Sequence, residues 1–198
     1  MSDALRVEDY DEKHAYTYAD YREWELDEGE RFELIDGEAY AMSAPNIQHQ
    51  FILGELYSNF HTYLQGKTCQ VYMAPCDVRL FYKRDSSDDT VVQPDIFIVC
   101  DKTKLGPESY RGAPDLIIEI LSPSNTAIEM QRKFQLYREA GVREYWVVDP
   151  ENNEVTVYCF KDGAINTNIY KSSEVVPVGI FQDLSISLGQ VFTKDSSI

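Results

Sequence analysis

The 198 residues are 43% hydrophobic and 13% aromatic, enough apolar material for one buried core and too much for a disordered chain. A formal net charge of −16 repels polyanions at long range and argues against a protein that simply coats nucleic acid. Cys69, Cys76, Cys100 and Cys159 form no C-x-x-C pair and no histidines stand at zinc-finger spacing, which argues against structural zinc. No run of about 18 apolar residues and no basic-then-apolar leader is present, so neither a membrane span nor a signal peptide is expected, and a reducing cytoplasm is the expected location. The negative charge is uneven: residues 1–45 hold 14 acids against 4 bases, and residues 46–150 hold 14 against 11.

Residues 1–16 are polar and acidic without a hydrophobic period and read as a loose arm; 17–192 read as one domain and 193–198 as a tail. Thr17-Tyr-Ala-Asp20 resembles a capped helix start, which predicts a helix over Tyr18–Asp27 stopped by Gly29. In Phe32–Met42, Asp36-Gly37 is a two-residue hairpin turn between strands. The period of Asn46–Leu64 predicts a helix ended by Gly66. Its apolar face is Ile52, Leu53, Leu56, Tyr57, Phe60, Tyr63 and Leu64, with His49 projecting into the same arc. Strands are expected at Gln70–Met73, Asp77–Tyr82 and Asp95–Cys100, with Arg84–Thr90 as a loop. Leu116–Leu121 is apolar on both faces except at Glu119 and reads as a central strand. A helix over Ala127–Ala140 stopped by Gly141 follows. Strands Glu144–Val148, Glu154–Phe160 and Ala164–Lys171 come next, and the tail holds one short strand and a helical turn.

Four polar groups stand where the pattern calls for apolar ones. Asp95 opens a buried strand after Pro94, a position that suits a residue with no ladder donor. Glu119 lies inside the most apolar run, where an ionised carboxylate is costly without a cation or donors to compensate it. Lys133 falls in the apolar arc of its helix, with Glu129 one turn earlier at pairing distance. His49 is the fourth. Taken alone, such a lysine can snorkel and such a histidine can be a satisfied core residue. Together, two acids on neighbouring strands and an inward lysine meet the needs of metal-assisted phosphodiester hydrolysis. Magnesium takes oxygen ligands from one or two carboxylates plus water and phosphate.

The runs Gln93-Pro-Asp95, Asp115-Leu-Ile-Ile-Glu-Ile-Leu-Ser-Pro-Ser124 and Lys133-Phe-Gln-Leu-Tyr-Arg-Glu-Ala-Gly-Val-Arg-Glu-Tyr-Trp-Val-Val-Asp-Pro150 together resemble the bacterial Uma-type restriction-endonuclease-like family. The hairpin Phe32–Glu38 and the His49 helix extend the resemblance to residues 17–192. It implies an α/β (α+β) fold of the PD-(D/E)XK superfamily: a mixed β-sheet flanked by helices, preceded by an N-terminal helix and β-hairpin. It also implies Mg2+- or Mn2+-dependent endonuclease activity on nucleic acid, DNA in the first instance. By position, Asp95 and Glu119 become metal ligands and Lys133 the electrostatic catalyst, with His49 auxiliary. Two residues after Glu119, where the superfamily pattern places lysine, this chain has Leu121, so the lysine is displaced to the following helix.

Asp115 is excluded as a partner of Glu119, because four strand residues separate the two by roughly 13 Å. Glu38, Glu129 and Gln93 are auxiliary candidates, and Glu33 a further hairpin acid. Lys83, Arg84, Lys102, Lys104, Arg111, Arg132 and Arg138 are candidate phosphate contacts, and a homodimer suits two-strand cutting. The competing function is a non-catalytic nuclease-like module that binds nucleic acid or a protein partner, favoured by the acidic surface and the displaced lysine.

Overall fold

A computed structural model describes residues 15–24, 30–123 and 125–193. In chain order its elements are α1 (Tyr18–Tyr21), β1 (Phe32–Ile35), β2 (Glu38–Ala41), α2 (Ile47–Leu64), β3 (Gln70–Met73), β4 (Asp77–Arg79), β5 (Ile96–Val99), β6 (Ser109–Arg111), β7 (Leu116–Ile120), α3 (Ala127–Ala140), β8 (Glu144–Asp149), β9 (Glu154–Lys161), β10 (Ala164–Lys171), β11 (Val175–Pro177), β12 (Ser185–Ser187) and α4 (Leu188–Phe192). They fall into two compact units. The first comprises the described parts of Met1–Ala44, Cys76–Gln93 and Lys104–Ala113, and the second those of Pro45–Pro75, Pro94–Thr103 and Pro114–Ile198.

In the first unit, Thr17 and Asp20 close a reciprocal capping box on α1. That helix is one turn long and ends at Tyr21, where Arg22 and Glu23 bond back to Tyr18 and Asp20; the expected end at Asp27 lies outside the described residues. The hairpin β1–β2 is paired Phe32↔Ala41 through Ile35↔Glu38. Both turn residues have positive φ, Asp36 at 53° and Gly37 at 80°, the backbone that a two-residue hairpin turn requires. Tyr16, Tyr18, Leu34 and Val91 form a small core with Tyr21 and Trp24 packed against it. Behind it, Arg79 and Asp88 make a buried bidentate pair, with the guanidinium 3.8 Å from the Tyr18 ring centroid.

The second unit is built on a six-stranded sheet in the order β10-β9-β8-β7-β5-β3. Only β7 and β8 are parallel, because α3 carries the chain back between them; every other neighbouring pair is antiparallel. One face presents Ile96, Ile98, Leu116, Ile118, Ile120, Trp146 and Val148 to Ile52, Leu56 and Phe60 of α2 in a single buried cluster. The period-2 alternation sends Phe97, Ile117, Glu119 and Tyr145 to the opposite face. There α3 packs, with Tyr137 5.0 Å from Tyr145 and Phe134 4.8 Å from Tyr158 between ring centroids. Thr126 and Glu129 close a capping box at the start of α3, and Gly141, at φ 93°, ends it.

Glu144, on the α2 face, is 1% exposed; its carboxylate accepts from the Trp146 indole at 2.7 Å and from the Ile180 amide at 2.8 Å. Burial pushes its pKa above the ordinary glutamate value, against those donors. A raised folded-state pKa adds stability below the ordinary value and loses it as pH rises through the folded one. Glu144→Gln has no such titration, so the stability of wild type relative to the variant should fall as pH rises above the ordinary glutamate range. Urea midpoints across pH test this, and a pH-independent gap would contradict it.

Several expectations are revised. The strand expected at Asp77–Tyr82 is only β4, which belongs to the first unit and pairs in parallel with β6, a strand too short to read from pattern. β5 starts at Ile96, one residue after Asp95. Cys69 and Cys100, 31 residues apart, are joined as a disulfide, because the register that sets Gln70 opposite Val99 also brings the two preceding and following cysteines together. The tail holds two short strands and α4. No helix among the described residues is long and apolar enough to cross a membrane.

Candidate active site

Antiparallel pairing of β5 with β7 runs Ile96↔Ile118, Phe97↔Ile117, Ile98↔Leu116. Continuing that register by one position sets Asp95 opposite Glu119, and opposite residues of an antiparallel pair point to the same face. The ladder itself thus brings together the two acids singled out from sequence. Asp95 is held at the strand mouth by three contacts. Its Oδ2 accepts the Ile120 amide at 2.7 Å and faces His49 Nε2 at 3.2 Å, while its own carbonyl accepts the Ala74 amide at 3.1 Å.

His49 is 6% exposed in the first turn of α2, where its amide caps onto the Asn46 side chain at 2.8 Å. Its Nδ1 is buried without a hydrogen-bond partner. With its proton on Nε2, the His49 ring donates to the Asp95 carboxylate. Glu119 is 8% exposed, and its Oε1 accepts from Lys133 Nζ at 3.0 Å and from the Tyr137 hydroxyl. Lys133 and Tyr137 stand one turn apart on α3, so the helix aims two donors at one carboxylate oxygen. Glu129, read from sequence as a partner for Lys133, takes the N3 place of the α3 capping box through the Thr126 amide at 2.7 Å.

The remaining candidates have other partners. Glu38, Glu33 and Gln93 belong to the first unit, whereas Asp95, Glu119, Lys133, His49 and Glu129 belong to the second. Glu38 is exposed and accepts from the Tyr40 hydroxyl. Gln93 donates its amide to Glu33 at 2.9 Å and its side chain to Asp77 at 3.0 Å, while the Tyr21 hydroxyl also donates to Asp77 at 3.2 Å. Burial raises the pKa of Asp77 against these donors. Asp115 accepts from the Cys100 amide at 2.8 Å and pairs with Arg143 at 3.0 Å, a structural role that fits its exclusion by distance from Glu119. Of the candidate phosphate contacts, Lys83 donates to the Ser87 carbonyl and Arg111 lies over the Tyr82 ring.

The sequence does not single out Tyr137, which fits the apolar period of α3 as a core residue. The available signal was its spacing of four from Lys133, together with a hydroxyl that needs a partner once buried. Nor does the sequence single out Glu144, or Tyr21 and Asp77 as partners of Gln93, because these contacts join separate segments.

The donor set suits a hard cation. Two carboxylates on one face match what magnesium takes from a protein, with water and phosphate completing the shell. Among the described residues, no group of three or more His, Cys, Asp or Glu forms a closed cage for a metal.

The mixed sheet with helices on both faces matches the structure described as "a putative nuclease belonging to DUF820" from Anabaena variabilis. The TM-score is 0.73 at 20% identity, covering 89% of this chain and 97% of that one, so the two share a fold. An uncharacterised protein of Synechocystis sp. is 26% identical over 140 residues, 70% of this chain and 71% of its own. The Uma2 family profile, described as "Putative restriction endonuclease", matches residues 18–189, and the chain belongs to that family. The family description supports a nuclease function in general terms.

Proposed function

We propose that the protein is a metal-dependent endonuclease that hydrolyses phosphodiester bonds in DNA. The reading is carried by the register that sets Asp95 opposite Glu119 on one face of the sheet, with Lys133 on the Glu119 carboxylate. Asp95 and Glu119 would hold Mg2+ or Mn2+. When bound, the ion lowers the pKa of a coordinated water and stabilises charge on the phosphate. The protein's own groups orient those ligands. The Ile120 amide and His49 Nε2 fix the Asp95 carboxylate, and Lys133 with Tyr137 fixes that of Glu119. Lys133 thereby acts through Glu119 as well as by its own charge, which accounts for a lysine one helix away from the superfamily position.

The test is incubation of the purified chain with plasmid and with single-stranded DNA in Mg2+ or Mn2+, beside the same reactions in a chelator. Metal-dependent cleavage supports the reading. Absence of both cleavage and calorimetric metal binding would overturn it in favour of the non-catalytic module. Tyr137→Phe keeps the ring packed on Tyr145 and deletes one donor to Glu119. Metal affinity should weaken about 10- to 100-fold, the usual effect of losing a group that orients a metal ligand, with the melting temperature nearly unchanged. Unaltered metal affinity would remove Tyr137 from the site.

A further inference from the structure

The two edges of the main sheet are unlike. One is β3, four residues long; the other is β10, eight residues long and exposed along seven of them. Among the described residues β10 pairs only with β9, so the other side of its backbone is open. Exposed sheet edges are ordinarily blunted by charge, proline or a bulge, because unpaired N–H and C=O groups recruit another strand. Between Ala164 and Tyr170 this edge has no charged residue and no proline. Its pairing with β9 runs from Ala164↔Lys161 to Lys171↔Glu154 without a bulge. Ile165 and Ile169 remain 41% and 59% exposed on it. In a chain of net charge −16, an uncharged stretch of this length is where two copies can approach without like-charge repulsion.

We propose that β10 is a homodimer interface, pairing antiparallel with β10 of a second copy to form one continuous twelve-stranded sheet. Parity fixes the allowed registers. A two-fold axis perpendicular to the sheet preserves its faces, so opposite residues must both be odd-numbered or both even-numbered. The register centred on Thr167 sets Thr167 opposite Thr167 and Ile165 opposite Ile169 twice, covering both exposed isoleucines. It also sets Asn166 opposite Asn168 on the other face and brings no like charges together. Ile165, Thr167 and Ile169 pair with Phe160, Tyr158 and Thr156 of β9, and Tyr158 and Phe160 meet Phe134 of α3. The interface therefore extends the face of the sheet that carries Glu119, and the dimer presents both copies of Glu119 on the same side.

Sedimentation of the full chain should give a dimer of the 22.8 kDa protomer, and Thr167→Lys, which opposes two lysines at the axis, should give the monomer with an unchanged circular dichroism spectrum. Opposite residues lie at Cα separations that a disulfide spans. In a Cys76→Ser, Cys159→Ser background, Thr167→Cys should therefore crosslink into dimers on a non-reducing gel, whereas Asn168→Cys, opposite Asn166, should not. A wild-type chain that remains monomeric overturns the proposal, as does a dimer that Thr167→Lys leaves intact. Crosslinking through Asn168→Cys but not Thr167→Cys overturns the register.

Discussion

Asp95→Asn is expected to lower metal-dependent DNA cleavage by on the order of 10²–10³-fold or more while leaving the fold in place. Asparagine is isosteric and keeps an oxygen for the Ile120 amide, which the aspartate accepts at 2.7 Å, so the mouth of β5 stays anchored. What it removes is the charge, and a neutral amide is a poor ligand for a hard divalent cation that must shed water to bind. Calorimetry should accordingly show weakened metal binding in parallel with the lost cleavage. Glu119→Gln should behave alike, since its amide oxygen still accepts from Lys133 and Tyr137. Equal cleavage by wild type and both variants, with the activity co-eluting with each protein through a second purification step, would sink the assignment of the two acids. Cleavage lost together with the melting transition would point to a folding defect, which the melting curve distinguishes directly.

The second large effect falls in the first unit. Asp88→Ala should cost about 3–5 kcal/mol, because it strands the Arg79 guanidinium, 4% exposed, without its counter-charge. Asp88 also accepts the Lys83 amide at 3.3 Å, so the loop that follows β4 loses a tether at the same time. If stranded charge is the main cost, Arg79→Met combined with Asp88→Ala should recover part of the loss. The recovery should be incomplete, because Arg79 also stacks between the Tyr18 and Tyr82 rings and donates to the Lys83 carbonyl. Urea denaturation of the two single variants and the double variant measures this. A single-variant loss below 1 kcal/mol would show that the pair is dispensable.

Much of this molecule follows from local pattern. Asp36-Gly37 has φ 53° and 80°, the hairpin geometry its sequence demands. Gly141 ends α3 where expected, and β3, α3 and β10 have the expected ends, because left-handed stops and periodicity are decided by residues a few positions apart. The polar exceptions in apolar runs, Asp95, Glu119, Lys133 and His49, were visible for the same reason: each breaks a local rule.

Only the tertiary structure decided who meets whom. The β5–β7 register places Asp95 opposite Glu119, and α3 packs on the face that Glu119 occupies, so Lys133 and Tyr137 find its carboxylate. Tyr137 satisfies its helical pattern as a core residue; its spacing of four from Lys133 is legible in the sequence, but the acid its hydroxyl meets is not. The same holds for the Cys69–Cys100 disulfide, the Arg79–Asp88 pair and the short parallel pairing of β4 with β6. Each joins segments by strand register and packing, and sequence separation carries no information about that pairing. Period and composition determine which face of an element is buried. The partner across that face is settled by the free energy of the assembled layers, which no single segment contains.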